Sequence, residues 1–403
     1  MIHQPPAGAR DLLPLEVAQK GWINDQLQEV FQRWGYQRIV TSTIERLETL
    51  MAGGAIEGTK VIQLQEGTEG RLGLRPELTA SIARTAVTRM DSSSTQRLCY
   101  RANIFRNPPV GHHGRQLEFY QAGVELLFAG GVLADGEILL LLVDCLQRLG
   151  LEQWQLILGE ASLTRSLLSP FPPNLRDRVR HCLANLDLIG LENLPLSAEL
   201  LDRALLVFDL RGNPTDVLQK VASLDLDIAG REIVNRLKSL IELFTPSSPK
   251  PLPLTLDLSL IQTFDYYTGI VFDVVGFKNN QAHILGQGGR YDRLLGLYDP
   301  QGKIAPGIGF SLNIEDLYAS LLNSTQLPQE APATDWLVIP ATADAATAAF
   351  LYAENLRKSE YLIRVEIELG EKTPEQVREY AQSRRIGRLA WIDAQGSPRI
   401  EVL

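Results

Sequence analysis

Three short strings hold the polar residues whose types and spacing suit them to chemistry. In Gln121-Ala122-Gly123-Val124-Glu125, a period of two puts an amide and a carboxylate on one face of an extended run, with a side-chain gap at Gly123 between them. Such a gap, flanked by a Gln amide and a Glu carboxylate, offers room and hydrogen-bonding groups for one small polar ligand, although the same pattern suits a solvated sheet face. Asp265-Tyr266-Tyr267-Thr268-Gly269 sets two phenols beside an acid. If it is strictly extended, only one tyrosine turns toward the Gln121/Glu125 face and the other enters the core. Gly286-Gln287-Gly288-Gly289 lacks the helix-opening G-x-G-x-x-G of dinucleotide sites, so it points to a tight turn or a close backbone approach. His112 and His113 are neighbours in a Pro/Gly loop, where a solvated loop is the better reading than a metal site. Cys99, Cys145 and Cys182 are isolated and fit buried, reduced thiols, so no metal and no cofactor is expected.

The elements that must position these strings follow from periodicity. Leu27, Val30, Phe31 and Trp34 fall at i, i+3, i+4 and i+7, the stripe of a helix over Leu15 to Trp34 that stops at Gly35. A strand is expected over Tyr36 to Ile44 and a second helix after Pro76. Leu98 to Phe105 and Leu117 to Leu127 read as a long-looped hairpin, followed by a helix over Ala134 to Leu149. Helical periodicity without strand signal marks 162–244 as a helical insertion. The proline-rich Phe244 to Pro253 reads as an extended connector. Strands resume at Leu254 to Leu260 and Tyr267 to Val275. A connector at 323–334 then leads to alternating strands and helices: Trp336 to Ile339, Ala343 to Arg357, Ile363 to Glu368, Pro374 to Ser383 and Arg388 to Ile392. The expected domains are a core over 1–322, a linker over 323–334 and a small α/β domain over 335–403.

The chain of 403 residues is 45% hydrophobic and 22% charged, which excludes disorder and collagen-like repeats. Its net charge of −9 gives no general basic footprint for nucleic acid. Apolar runs such as Ile138 to Val143 fall far short of the roughly 20 residues of a membrane span. The opening Met1-Ile2-His3-Gln4-Pro5-Pro6 has no basic or apolar export signal, so a cytoplasmic location is expected.

Taken in order, Gly8-Ala9-Arg10-Asp11-Leu12-Leu13-Pro14, Leu74-Arg75-Pro76-Glu77-Leu78-Thr79-Ala80, Phe105-Arg106, Gly114-Arg115, Gln121 to Glu125, Asp265 to Gly269, Gly288-Gly289-Arg290-Tyr291-Asp292 and Gly307-Ile308-Gly309-Phe310 resemble the motifs of class II histidine-tRNA ligases. The resemblance covers nearly the whole chain. It implies an α+β fold: an antiparallel sheet of six or seven strands flanked by helices, a helical insertion, and a C-terminal α/β domain like a truncated anticodon-binding domain. By the same resemblance, Glu77, Thr79 and Gln121 match the positions that receive the α-ammonium of histidine. Glu125 and Tyr266, with Tyr267 beside it, match those that read the imidazole. Arg106 and Arg115 stand where the ligases contact phosphate and carboxylate.

The departures all fall on ATP chemistry. Pro108 stands in the stretch where the ligases carry a glutamate for the adenine end, Gln262 replaces an arginine at the reacting carboxylate, and Asp316 replaces the arginine that braces the γ-phosphate. Thr41-Ser42-Thr43 lacks the proline of the first ligase motif. A neutral amide and an acid cannot stabilise the negative charge of adenylate formation. Retained histidine recognition with lost ATP chemistry resembles the ligase paralogues that serve as regulatory subunits of ATP phosphoribosyltransferase. That resemblance implies a chain without catalytic residues, with a short catalytic subunit as partner, histidine as feedback effector, a homodimer, and a hetero-octamer with the partner. The alternatives are an active histidine-tRNA ligase and a non-catalytic tRNA-binding paralogue. Against the latter, residues 331–403 carry 9 Lys plus Arg and 11 Asp plus Glu, and only three strands are expected there, so a tRNA partner is not favoured.

Overall fold

The computed structural model describes residues 3, 5–52, 56, 58–64, 70–107, 116–224, 226–247, 251–260, 266–278, 281–322, 324–370 and 372–403. Contacts divide the chain into two units, Met1–Leu12 with Gln19–Leu327, and Leu13–Ala18 with Pro328–Leu403.

Alternating side chains and long-range pairing build the sheet of the first unit. Its strands are β1 (Gln37–Arg38), β4 (Gln96–Phe105), β5 (Glu118–Leu127), β6 (Trp154–Glu160), β7 (Arg211–Gly212), β8 (Leu254–Asp257), β9 (Ile270–Lys278), β10 (Gln281–Arg290) and β11 (Gly307–Asn313), with β2 (Ile44–Arg46) and β3 (Leu72–Leu74) as a separate pair. Among the described residues the sheet has nine strands in the order β1-β4-β5-β11-β10-β9-β6-β8-β7. This exceeds the six or seven antiparallel strands expected, and two contacts, β1 with β4 and β6 with β8, are parallel. Parallel neighbours need a long crossover, and the helical stretch between β6 and β8 supplies one.

That stretch comprises α5 (Ala161–Leu168), α6 (Pro173–Ala184), α7 (Leu188–Glu192), α8 (Ala198–Phe208), α9 (Pro214–Ala222) and α10 (Ile228–Ser247). The connector expected from Phe244 onward begins later. α10 runs on through Pro246, held by fully buried Phe244 and by the Ser247 hydroxyl donating to Leu243 O at 2.6 Å. One face of the sheet packs on the main core, where Ile23, Leu27, Val30 and Phe31 of α1 (Pro14–Arg33) meet Ala122, Val124 and Leu126 of β5 and the apolar side of α4 (Val132–Arg148). The other face carries α3 (Thr79–Arg89), α11 (Leu294–Tyr298) and a cluster of tyrosines. The remaining helices of this unit are α2 (Leu47–Met51) and α12 (Ile314–Leu321).

The single strand expected over Tyr36 to Ile44 is broken into β1 and β2. Buried Arg75 is the reason: its guanidinium donates to Thr41 O at 2.8 Å, Ser42 O at 3.3 Å and Asn103 O at 2.9 Å, so those carbonyls have a partner other than a neighbouring strand.

The second unit holds β12 (Trp336–Pro340), α13 (Ala346–Arg357), β13 (Val365–Ile367), α14 (Pro374–Ser383), β14 (Arg388–Ile392) and β15 (Pro398–Val402), with strand order β13-β12-β14-β15. Alternate strand residues pack on opposite sides. Trp336, Val338, Ala390 and Ile392 meet α13, while Leu337, Ile339 and Leu389 meet α14. A capping box between Thr373 and Gln376 starts α14. The fourth strand, β15, goes beyond the three expected; it opens on Pro398 and carries Arg399 and Glu401, which mask it as polar loop. Among the described residues, no helix is long and apolar enough to cross a membrane.

Candidate functional site

The tyrosine-bearing face of the sheet holds a cleft with about 350 Å³ of empty space, part of it open to solvent. Glu77, Thr79, Arg106, Gln121, Tyr266 and Tyr267 all line it, joined by Tyr100, Gln287 and Tyr291. Six of the residues expected at a ligand site are therefore brought to one place from β4, β5, the start of α3 and the segment before β9.

Glu77 sits just ahead of α3, and its Oε1 accepts the Ala80 amide at 2.9 Å, as a helix N-terminus favours. Among the described residues its buried Oε2 has no hydrogen-bond partner. Burial holds the Glu77 carboxyl above the usual range, while the helix amides and the Arg106 charge pull the other way. Arg106 anchors itself by donating from Nε to Pro76 O at 2.8 Å. Its guanidinium is itself pulled down in pKa by burial and supported by Glu77.

Glu125 differs from the expectation. It is 1% exposed and stands behind the cleft wall rather than in it, with both carboxylate oxygens engaged. Oε1 accepts the Thr79 hydroxyl at 2.7 Å, and Oε2 accepts the Tyr291 hydroxyl. Burial pushes the Glu125 carboxyl up to about 8, against the two hydroxyl donors and with nearby Glu77 reinforcing the rise. The carboxylate thus orients two hydroxyls that touch the cleft.

The gap at Gly123 is also filled from within. A Cβ there would lie 2.2 Å from Phe310 O and 2.5 Å from the Tyr100 hydroxyl, so the missing side chain makes room for Tyr100 of the neighbouring strand rather than for a ligand. Likewise, a Cβ at Gly309 would fall 2.0 Å from Glu125 Oε2, and one at Gly289 would fall 2.8 Å from the Tyr267 ring. The Gly286 to Gly289 string lies in the second half of β10, a close approach and not a turn.

Tyr266 and Tyr267 both line the cleft, with ring centroids 4.8 Å apart. The alternation expected of a strand does not apply, because β9 begins only at Ile270. Tyr291, edge-on to Tyr266 at 5.9 Å, and Tyr100 were missed as site residues. Tyr291 does stand in the Gly288 to Asp292 string, and that was the available signal.

Arg115, Pro108, His112, His113, Gln262 and Asp265 lie outside the described residues. Asp316 is half-buried on the first turn of α12, does not line the cleft, and feels the charges of His283 and Glu315. Cys99, Cys145 and Cys182 are buried and free.

A broad mixed sheet flanked by helices, a helical crossover and a cleft lined by one buried carboxylate and backed by a second define a class II tRNA-ligase-type module. Residues 8–317 match the family model described as histidyl-tRNA synthetase. A Rippkaea orientalis protein described as "ATP phosphoribosyltransferase regulatory subunit" is 68% identical over 405 residues, covering 100% of both chains. One of the same description from Gloeothece citriformis is 69% identical over 407 residues, again covering 100% of both. Among solved structures, the ATP phosphoribosyltransferase regulatory subunit/histidyl-tRNA synthetase of Bacillus halodurans superposes with TM-score 0.77 at 27% identity, covering 94% of this chain and 97% of that one. The histidyl-tRNA synthetase of Nostoc sp. PCC 7120 shares the fold at TM-score 0.77 and 18% identity, covering 99% of this chain and 97% of that one. The chain belongs to the family of ATP phosphoribosyltransferase regulatory subunits, within the histidyl-tRNA synthetase-like proteins.

Proposed function

We propose that this chain is the non-catalytic, histidine-sensing partner of a short ATP phosphoribosyltransferase catalytic subunit, acting at the first step of histidine biosynthesis in the cytoplasm. It is required for the partner's activity and carries its feedback by histidine. On its own it is a homodimer, and with the partner a hetero-octamer. The core over 1–322 holds the effector, joined by 323–334 to the domain over 335–403.

The observation that carries the reading is Glu77 Oε2, a buried carboxylate oxygen at the cleft with no hydrogen-bond partner among the described residues. A buried carboxylate oxygen left without a hydrogen bond is costly, and an incoming ammonium group relieves that cost. Thr79 and Gln121 supply further polar contacts near it, Arg106 meets the ligand's carboxylate, and the Tyr266, Tyr267 and Tyr291 rings enclose the imidazole. Glu125 holds Thr79 and Tyr291 in place. Loss of catalysis is supported by Pro108, Gln262 and Asp316, where the resembled ligases need groups that serve ATP. The net acidity of residues 331–403 argues against a tRNA partner.

The test is reconstitution. Phosphoribosyl transfer is expected only when this chain is mixed with a short catalytic chain, and histidine is expected to suppress it. Histidine-dependent exchange of pyrophosphate into ATP by this chain alone would overturn the non-catalytic reading, and titration calorimetry showing no histidine uptake would overturn the sensor.

A further inference from the structure

A second cavity, of about 150 Å³ and partly open to solvent, lies between α10, the start of α4 and the ends of β9 and β10. Ile233, Arg236, Leu237 and Leu240 present one face of α10 to it, at the i, i+3, i+4, i+7 spacing. Opposite stand Asp135, Glu160, Thr268, Arg290 and Asp292. Arg290 is fully committed. It donates twice to Asp135 Oδ1, at 2.6 and 2.8 Å, and once to Asp292 Oδ1 at 2.9 Å.

Among the described residues, each carboxylate around it keeps one oxygen without a hydrogen bond. Asp135 makes both its hydrogen bonds through Oδ1. Asp292 uses Oδ1 alone, for Arg290 and the Gly307 amide. Glu160, 5% exposed, uses only Oε2, which accepts the Leu163 amide at 2.5 Å to cap α5. Glu137, by contrast, uses both oxygens, with Arg97 and Tyr36, and so does Glu315, with Lys20 and Tyr120 N. Three acids line the cavity with two arginines, buried Arg290 and exposed Arg236. Exposed Arg236 at its edge is close enough to act on Asp135 and Glu160 without an ion pair to either.

We propose that this cavity is a second small-molecule site, which takes a compact zwitterion with its ammonium group at Glu160 and Asp135, its carboxylate toward Arg236, and its methylenes on Ile233, Leu237 and Leu240. A buried acid with a spare oxygen binds an ammonium group in preference to water. The site is separate from the cleft of Glu77 and Thr79, so it stands or falls independently of histidine sensing there.

Ligand-observed NMR on the full chain tests it with three probes: γ-aminobutyrate, n-butylamine and butyrate. Millimolar binding is expected for the first two and none for butyrate. Glu160→Gln keeps an acceptor for the Leu163 amide and should weaken both amines about tenfold. Arg236→Gln should weaken γ-aminobutyrate and leave n-butylamine unchanged, and Ile233→Trp should fill the space and block both. A melting temperature kept near that of the parent shows that each variant is folded. Butyrate binding as well as the amines, no amine binding above millimolar concentration, or amine binding unchanged in both Glu160→Gln and Ile233→Trp would overturn the site.

Discussion

The Glu125 carboxylate accepts the Thr79 hydroxyl at 2.7 Å, joining the centre of β5 to the first residue of α3 across 46 positions of sequence. With Tyr291 on its other oxygen, Glu125 fixes two hydroxyls of the cleft wall from behind. Glu125→Ala should therefore orphan both, each at about 1–3 kcal/mol. The expected outcome is a less stable fold in urea titration and weaker histidine binding, about 5- to 150-fold by calorimetry. Glu125→Gln keeps one acceptor and should lose less on both counts.

The pH dependence follows from the same group. Because the Glu125 carboxyl titrates near 8 when folded and 4.5 otherwise, its proton stabilises the empty fold most at acid pH. That contribution is lost as pH rises from 4.5 through about 8, and Glu125→Gln should flatten the decline in melting temperature across this range. An entering ammonium group favours ionised carboxylates, so histidine binding should release protons and strengthen toward about pH 8. Calorimetry in buffers of different ionisation heat measures that release.

Glu77→Gln separates stability from binding. The substitution keeps an acceptor for the Ala80 amide but takes from Arg106 the carboxylate that supports it, so the melting temperature of the empty chain should hold or fall slightly. Histidine affinity should fall about 10- to 150-fold, since a charge-assisted contact to the ammonium group is lost.

Gly123→Ala tests the filled gap. Its Cβ would meet a backbone oxygen at 2.2 Å, so overpacking of at least about 1–3 kcal/mol is expected in denaturant titration. Tyr100→Phe, which removes the nearby hydroxyl, should fail to rescue it, because Phe310 O stays in place.

Much of this was legible in the residues. The alternation in β5 located its two faces, and Ala122, Val124 and Leu126 lie in the main core opposite Gln121 and Glu125. α14 and β14 have the expected bounds, because Pro374 and the apolar run at Arg388 to Ile392 punctuate them. What could not be read depends on partners distant in sequence. Gly123 looks like room for a ligand until β4 brings Tyr100 across it, and Glu125 looks like a ligand contact until Thr79 and Tyr291 arrive. β1 and β2 read as one strand because nothing local reveals that Arg75 takes the carbonyls between them.

The pairing of β5 with β11 also bears on the order in which the protein comes into being. The cleft floor is closed where the Tyr100 hydroxyl meets Phe310 O, contacts made 210 positions apart. During synthesis, α4 to α10 leave the ribosome and can pack before β11 exists, but Glu125 cannot be covered until Gly309 has been made. The cleft is then among the last parts of the core to mature, and nascent chains that end short of β11 expose a bare carboxylate where the finished protein buries one.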